Sequence, residues 1–262
     1  MTASLTLRGA LIAVTLILPP HAGAQQTPAS GDVTSQRAER VKSLLNEIVI
    51  QRDGDFERIT EEYAESHISE IRSIIQEHVL EALNRSDKPD GVRRALKDVR
   101  GALEPSYVYF ADLKGVTTVV AAFELRWGGA LPDRRGILLG YRKTGLAYEL
   151  AAEASVEYDL TLEKLNSPRE NEMWLLAWGG IKYIFGHIEQ VVLYSFDGYQ
   201  FKALWVGGGQ NAEVKIMRDE VTVDYMVSRN PYNLTEGARM FRDTVRLTSG
   251  GPEVSKQELP QK

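Results

Sequence analysis

Trp178-Gly-Gly-Ile-Lys-Tyr-Ile-Phe-Gly-His-Ile-Glu-Gln-Val-Val-Leu-Tyr-Ser-Phe-Asp-Gly198 repeats, in outline, an earlier stretch that opens at Trp127-Gly128-Gly129. In the first copy an extended segment leads to Tyr141, a turn at Thr144-Gly145 and then Tyr148. In the second it leads to Tyr194, a turn at Asp197-Gly198 and then Phe201. The turn glycine follows its tryptophan by 18 positions in one copy (127 to 145) and by 20 in the other (178 to 198), a difference that a connecting loop absorbs at little cost. Aligned at the tryptophans, Phe123 meets Trp174 and Leu125 meets Leu176. Aligned at the turns, Leu138 meets Val191, Leu139 meets Val192 and Tyr141 meets Tyr194. Large residues at matched positions of a period-two pattern describe a duplicated antiparallel hairpin unit. A third, degenerate copy without the Trp-Gly-Gly runs through 212–247.

Outward from the repeat, the chain divides near Pro105. Before it the period is helical: Val41, Leu44, Leu45, Ile48 and Val49 make one apolar stripe, and Phe56, Ile59, Tyr63, Ile71, Ile74, Ile75, Val79 and Leu83 a longer one. A short third helix is expected over Val92–Leu103. After Pro105 the period is two, with strands expected at 106–112, 117–126, 136–143, 146–153, 156–163, 173–178, 188–196, 199–206, 212–217, 221–228 and 239–247. The expected fold is therefore α+β: amphipathic helices at 36–104, then a repeated antiparallel β domain at 105–248, built as blade-like units or as a sandwich. A flexible spacer is expected at 25–35 and a disordered tail at 249–262. The helices are expected to cover a terminal sheet, with self-association through them as the rival role.

Residues 1–24 read as a secretory signal peptide, with Arg8, an apolar core from Ala10 to Leu18 and a small-residue site at Ala22-Gly23-Ala24. Cleavage there leaves a chain from Gln25 with 238 residues and net charge −6, against −5 for the whole chain, because Arg8 departs. The expected location is the periplasm or the exterior, without stable membrane insertion after cleavage. The chain has no cysteine, which removes disulfides, thiolate metal sites and cysteine nucleophiles from consideration. Its negative charge without a basic run argues against nucleic acid as a partner.

Val191 to Trp205 resembles the hairpins of secreted bacterial β-propeller-type repeat proteins, as does a repeat of about 50 residues with four short strands. The resemblance implies a recognition surface. Closed propellers usually have four or more blades, and the chain after Pro105 has room for about three. The acidic calcium loop of some such families is missing here, so the resemblance brings no calcium site.

Chemistry-bearing residues are sparse. Neither a nucleophile elbow, a P-loop, a dinucleotide fingerprint nor a zincin motif occurs, and no cofactor or metal is expected. His187 and Glu189 share one face of an alternating strand and are suited to proton exchange or to ligand contact. Trp127, Trp178 and Trp205 stand beside connectors, where indoles serve either as core or as stacking surface. With Tyr183, these residues are the candidates for partner or ligand binding. The connectors 128–135, 179–188 and 207–211 are expected on the binding side. The function expected is that of a non-enzymatic binding or scaffold protein of the bacterial cell envelope, with a protein or glycan partner. The rivals are a secreted glycan or small-ligand module, and a hydrolase with an unrecognised site.

Overall fold

The computed structural model describes residues 30–54, 61–86, 88–99, 103–126, 134–156, 159–183, 186–228 and 237–260. The N-terminal part holds α1 (Ser30–Gly54), α2 (Glu61–Arg85) and α3 (Pro89–Asp98). Then come β1 (Leu103–Leu113), β2 (Val116–Arg126), β3 (Arg134–Thr144), β4 (Ala147–Val156), β5 (Thr161–Leu165), β6 (Met173–Tyr183), β7 (Gly186–Phe196), β8 (Phe201–Ile216), β9 (Glu220–Val227), β10 (Arg239–Thr248) and β11 (Gly251–Leu259). They form two antiparallel sheets, ordered β1-β2-β3-β4 and β11-β10-β9-β8-β7-β6-β5. The α+β class read from the sequence is the class observed.

The order of layers follows from which side chains need cover. β2 is buried at every position from Thr118 to Leu125, because both of its faces are covered. Val119, Ala121, Phe123 and Leu125 point one way, into a core shared with Val41, Leu44, Ile48, Ile71, Ile75, Val79, Leu83 and Leu96 of the helices. Val120 and Ala122 point the other way, against Met173, Leu175, Ala177 and Phe196 of the second sheet. The helices thus cover the outer face of the first sheet, as the apolar stripes lead one to expect.

The second sheet folds back on itself. Trp174, Leu176, Val191 and Leu193 of β6 and β7 face Val221, Val223, Tyr225, Val245 and Leu247 of β9 and β10 in a third core. This requires β8 to leave one layer and enter the next. Its first half pairs with β7 and its second with β9, with a register shift between Gln210 and Glu213. Gly208 has φ +105° and Asn211 φ +50°, so Gly207-Gly208-Gly209 is the corner of a bent strand and not an inter-strand loop. Bends and bulges of this kind let one strand serve two packed layers. The fold-back is tied at the far end, where the Arg169 Nε donates to the Ser249 carbonyl at 3.0 Å.

The last layer ends in water. Along β9, Val221, Val223 and Tyr225 are buried in the third core while Glu220 and Asp224 look outward. Arg242 of β10 bonds Asp224 through two 2.6 Å contacts, and Arg246 and Lys215 pair with Glu220 and Glu213. One end of the stack is closed by helices and the other by polar pairs.

Several expectations are corrected. The stretch read as a disordered tail contains β11, which pairs with β10 from Met240↔Leu259 to Thr248↔Gly251. Helix α1 begins at Ser30, inside the expected spacer. The expected strand 156–163 is divided: β4 ends at Val156, Asp159 and Leu160 connect, and β5 begins at Thr161. The expected strands 199–206 and 212–217 are one, β8. The tryptophan alignment also fails in space. Leu138 pairs with Ala122 and its turn-aligned counterpart Val191 pairs with Trp178, so the position matching Trp178 is Ala122, not Trp127. Phe123 accordingly faces the helices while Trp174 faces the third core. The turn alignment holds: register shifts fall between Gly140 and Tyr141 and between Leu193 and Tyr194, at positions that the turns align.

The corner makes a measurable demand. A Cβ on Gly208 would lie 2.4 Å from the Glu189 carbonyl oxygen, at a φ that side chains seldom adopt. Gly208→Ala is expected to cost about 2–3 kcal/mol in urea denaturation. A loss below about 0.5 kcal/mol would show that β8 can relax without the glycine.

Candidate functional site

The β6–β7 hairpin carries the candidates that the sequence singled out. Trp178 pairs with Val191, Gly180 with Glu189, Lys182 with His187 and Tyr183 with Gly186. His187 and Glu189, two apart on one strand, share a face, and the His187 Nδ1 lies 3.2 Å from the Glu189 Oε1. The imidazole crosses the bare backbone of Gly180, where a Cβ would lie 2.5 Å from the His187 Nε2 and 2.8 Å from the Glu189 Cγ. That glycine is what lets the ring lie flat against β6. The Nε2 is buried and has no hydrogen-bond partner among the described residues.

Burial is the main influence on the Glu189 carboxyl and raises its pKa; the His187 imidazole opposes this, and the Asp159 carboxylate adds to the rise. Asp159 is itself paired with Arg134 of β3. Where the chain crosses from the first sheet to the second, the buried Glu124 accepts the Leu160 N–H at 2.8 Å and pairs with Arg126. The site is thus a His–Glu pair in hydrogen-bond contact beside charges that are already paired. It is suited to hydrogen bonding a polar partner group. Among the described residues, no three His, Asp or Glu side chains are grouped to hold a metal ion.

The tryptophans have other surroundings. Trp178 and Trp205 are half-buried and pack against the third core, and the Trp205 ring folds over Gly207, where a Cβ would meet it at 2.2 Å. Trp127 lies outside the described residues, as do connector residues 128–133. The side chain of Tyr183 is likewise not described, though its backbone closes β6. The segments 179–188 and 207–211, expected as binding connectors, are largely strand: 179–183 and 186–188 form the hairpin and 207–211 the corner of β8. β6 runs on beyond its Trp-Gly-Gly to Tyr183, so 179–183 are strand.

Two groupings were not visible in the sequence. In the third core the Tyr225 hydroxyl meets both carboxylate oxygens of buried Asp243 at 3.2 Å. The Lys256 ammonium stands 5.1 Å from the Tyr225 ring and 4.7 Å from the Phe241 ring. Lys256 belongs to β11, so reading 249–262 as a tail hid it; Gly251–Leu259 has no apolar alternation to mark it as a strand. The second grouping is a cavity of about 380 Å³ at the opposite end of the stack, where the β1–β2 and β7–β8 turns meet. Each turn is legible in the sequence, but their meeting is not.

Comparisons with family models, with curated proteins and with solved structures find no match for this chain. Among the described residues no helix is long and apolar enough to cross a membrane.

The raised Glu189 carboxyl sets a sign. A carboxyl raised in the folded state favours folding when protonated; this benefit is complete below the ordinary value of 4.5 and is lost as pH rises through the folded value. Glu189→Gln cannot ionise, so its melting temperature is expected to exceed that of the natural chain by about 2–4 °C at neutral pH. The gap should close as pH falls below 4.5. A gap independent of pH would show that the charge is not what the site penalises.

Proposed function

We propose that this chain is an exported, non-enzymatic binding or scaffold protein of the cell envelope that recognises its partner at the connector end of a stack of blade-like units. The observation that carries this reading is the self-termination of the stack. Helices close one face and the Arg242–Asp224, Arg246–Glu220 and Lys215–Glu213 pairs close the other. A partner therefore meets ends and hairpin tips, not broad apolar faces.

The blade-like reading is supported by three successive four-stranded meanders: β1–β4, then β5–β7 with the first half of β8, then the second half of β8 with β9–β11. Duplication is supported by the matching register shifts at Gly140/Tyr141 and Leu193/Tyr194. Export rests on the sequence of residues 1–24. The β6–β7 hairpin carries Tyr183, His187 and Glu189 along its two paired strands.

Cross-linking capture from the native envelope tests the reading. The chain is expected to capture a dominant protein, and the Tyr183→Ser, His187→Ala double variant to lose that capture while melting within about 4 °C of the natural chain. Capture by the double variant at the natural level would place recognition elsewhere, and no captured protein would refute the adaptor role.

A further inference from the structure

We propose that the cavity at the turn end of the stack is a binding site for one neutral pyranose unit of a glycan. It lies between the two sheets, about 380 Å³ in volume, and its walls include Leu113, Lys114, Arg142, Asn171, Asp197 and Tyr199. Its size is in the range of small-ligand sites, and tight turns on rigid strands make it largely preformed.

The character of the lining selects the ligand class. Arg142 is already compensated: its Nε donates to the Glu149 carboxylate at 2.6 Å, and Thr144 donates to the same oxygen at 2.9 Å. That leaves the Lys114 ammonium against the Asp197 carboxylate, so the cavity carries no excess of either sign. An anion would meet Asp197 and a cation would meet Lys114 and Arg142; a neutral polar molecule avoids both penalties.

The hydrogen-bonding groups suit vicinal hydroxyls. The Asp197 Oδ1 accepts the backbone N–H groups of Tyr199 and Gln200 at 2.8 and 2.9 Å, which fixes the turn and leaves Oδ2 as an acceptor. Among the described residues, Asn171 and Lys114 have no hydrogen-bond partner of their own, so an amide and three ammonium donors are available. The hydroxyls of a sugar both donate and accept, and such a set satisfies them in pairs.

Tyr199 supplies the apolar element. The residue is 64% exposed, and the Arg142 guanidinium stacks on its ring 4.3 Å from the centroid. The guanidinium holds the ring in place from one side. The C–H face of a pyranose is the complement of an exposed, immobilised aromatic ring that has polar groups at its edge. The site is independent of the His187–Glu189 hairpin, which lies at the other end of the stack.

Titration calorimetry on the full chain tests this with the methyl glycosides of glucose, galactose and N-acetylglucosamine, and with glucuronate and inorganic phosphate as charged controls. At least one neutral glycoside is expected to bind with a dissociation constant on the order of 1 mM. Tyr199→Ala is expected to weaken it roughly tenfold with the melting temperature unchanged. Asn171→Ala should weaken binding as well, giving a second readout should Tyr199→Ala disturb the turn, and His187→Ala should leave it intact. The proposal is overturned by absence of binding for all three glycosides, by preference for glucuronate or phosphate, or by binding that survives both turn-end variants.

Discussion

The contact on which the rest of this structure depends is the packing of Val120, Ala122 and Leu138 of the first sheet against Met173, Leu175, Ala177 and Phe196 of the second. An antiparallel sheet rich in apolar residues on both faces cannot stand alone in water. Burying one such side chain contributes roughly 1.5–3 kcal/mol, so a two-faced sheet loses much of its driving force if either face is left open. The first sheet resolves this with helices on one side and a second sheet on the other. The second sheet resolves it by folding over itself. Each solution passes the same demand to the next layer, until a layer with alternating polar residues ends the series.

Polar groups inside the stack work at its joints. Glu124 is 1% exposed and holds the crossover between the sheets through the Leu160 N–H. Beside it, Tyr107 and Tyr109 donate to the Leu160 and Leu162 carbonyls at 3.2 and 2.8 Å. Burial raises the Tyr109 hydroxyl to about 12, so it remains a donor at any physiological pH. On the helix side, Asn84 accepts the Tyr148 N–H at 2.8 Å. These bonds satisfy groups that would otherwise be buried unpaired, and they set where one layer begins against the next.

Glycines on either side of Glu189 shape the β6–β8 region. Gly180 makes room for the His187 ring, and Gly208 turns β8 through a backbone conformation closed to other residues. In the sequence these glycines look like parts of a Trp-Gly-Gly motif and of a Gly-Gly-Gly loop. Their meaning is set by what lies across from them, which for Gly180 is a neighbouring strand's imidazole and for Gly208 a carbonyl oxygen. For the same reason the Trp-Gly-Gly pair misleads. Similar residues at similar spacing fall in β6 in one case and beyond the end of β2 in the other.

The change of period near Pro105, the helical stripes and the alternation of β7 and β9 were legible from the residues, because periodicity is a local consequence of backbone geometry. So were the turns at Lys114-Gly115, Thr144-Gly145 and Asp197-Gly198, where φ is positive at each glycine. The pairing of His187 with Glu189 was legible too, since residues two apart on a strand share a face. The bend of β8, the strand at Gly251–Leu259 and the meeting of the β1–β2 and β7–β8 turns around one cavity were not. Each depends on which sheet face a neighbouring layer covers or on which turns come to the same end. Those are contacts between residues far apart in the chain, and only the packed tertiary structure decides them.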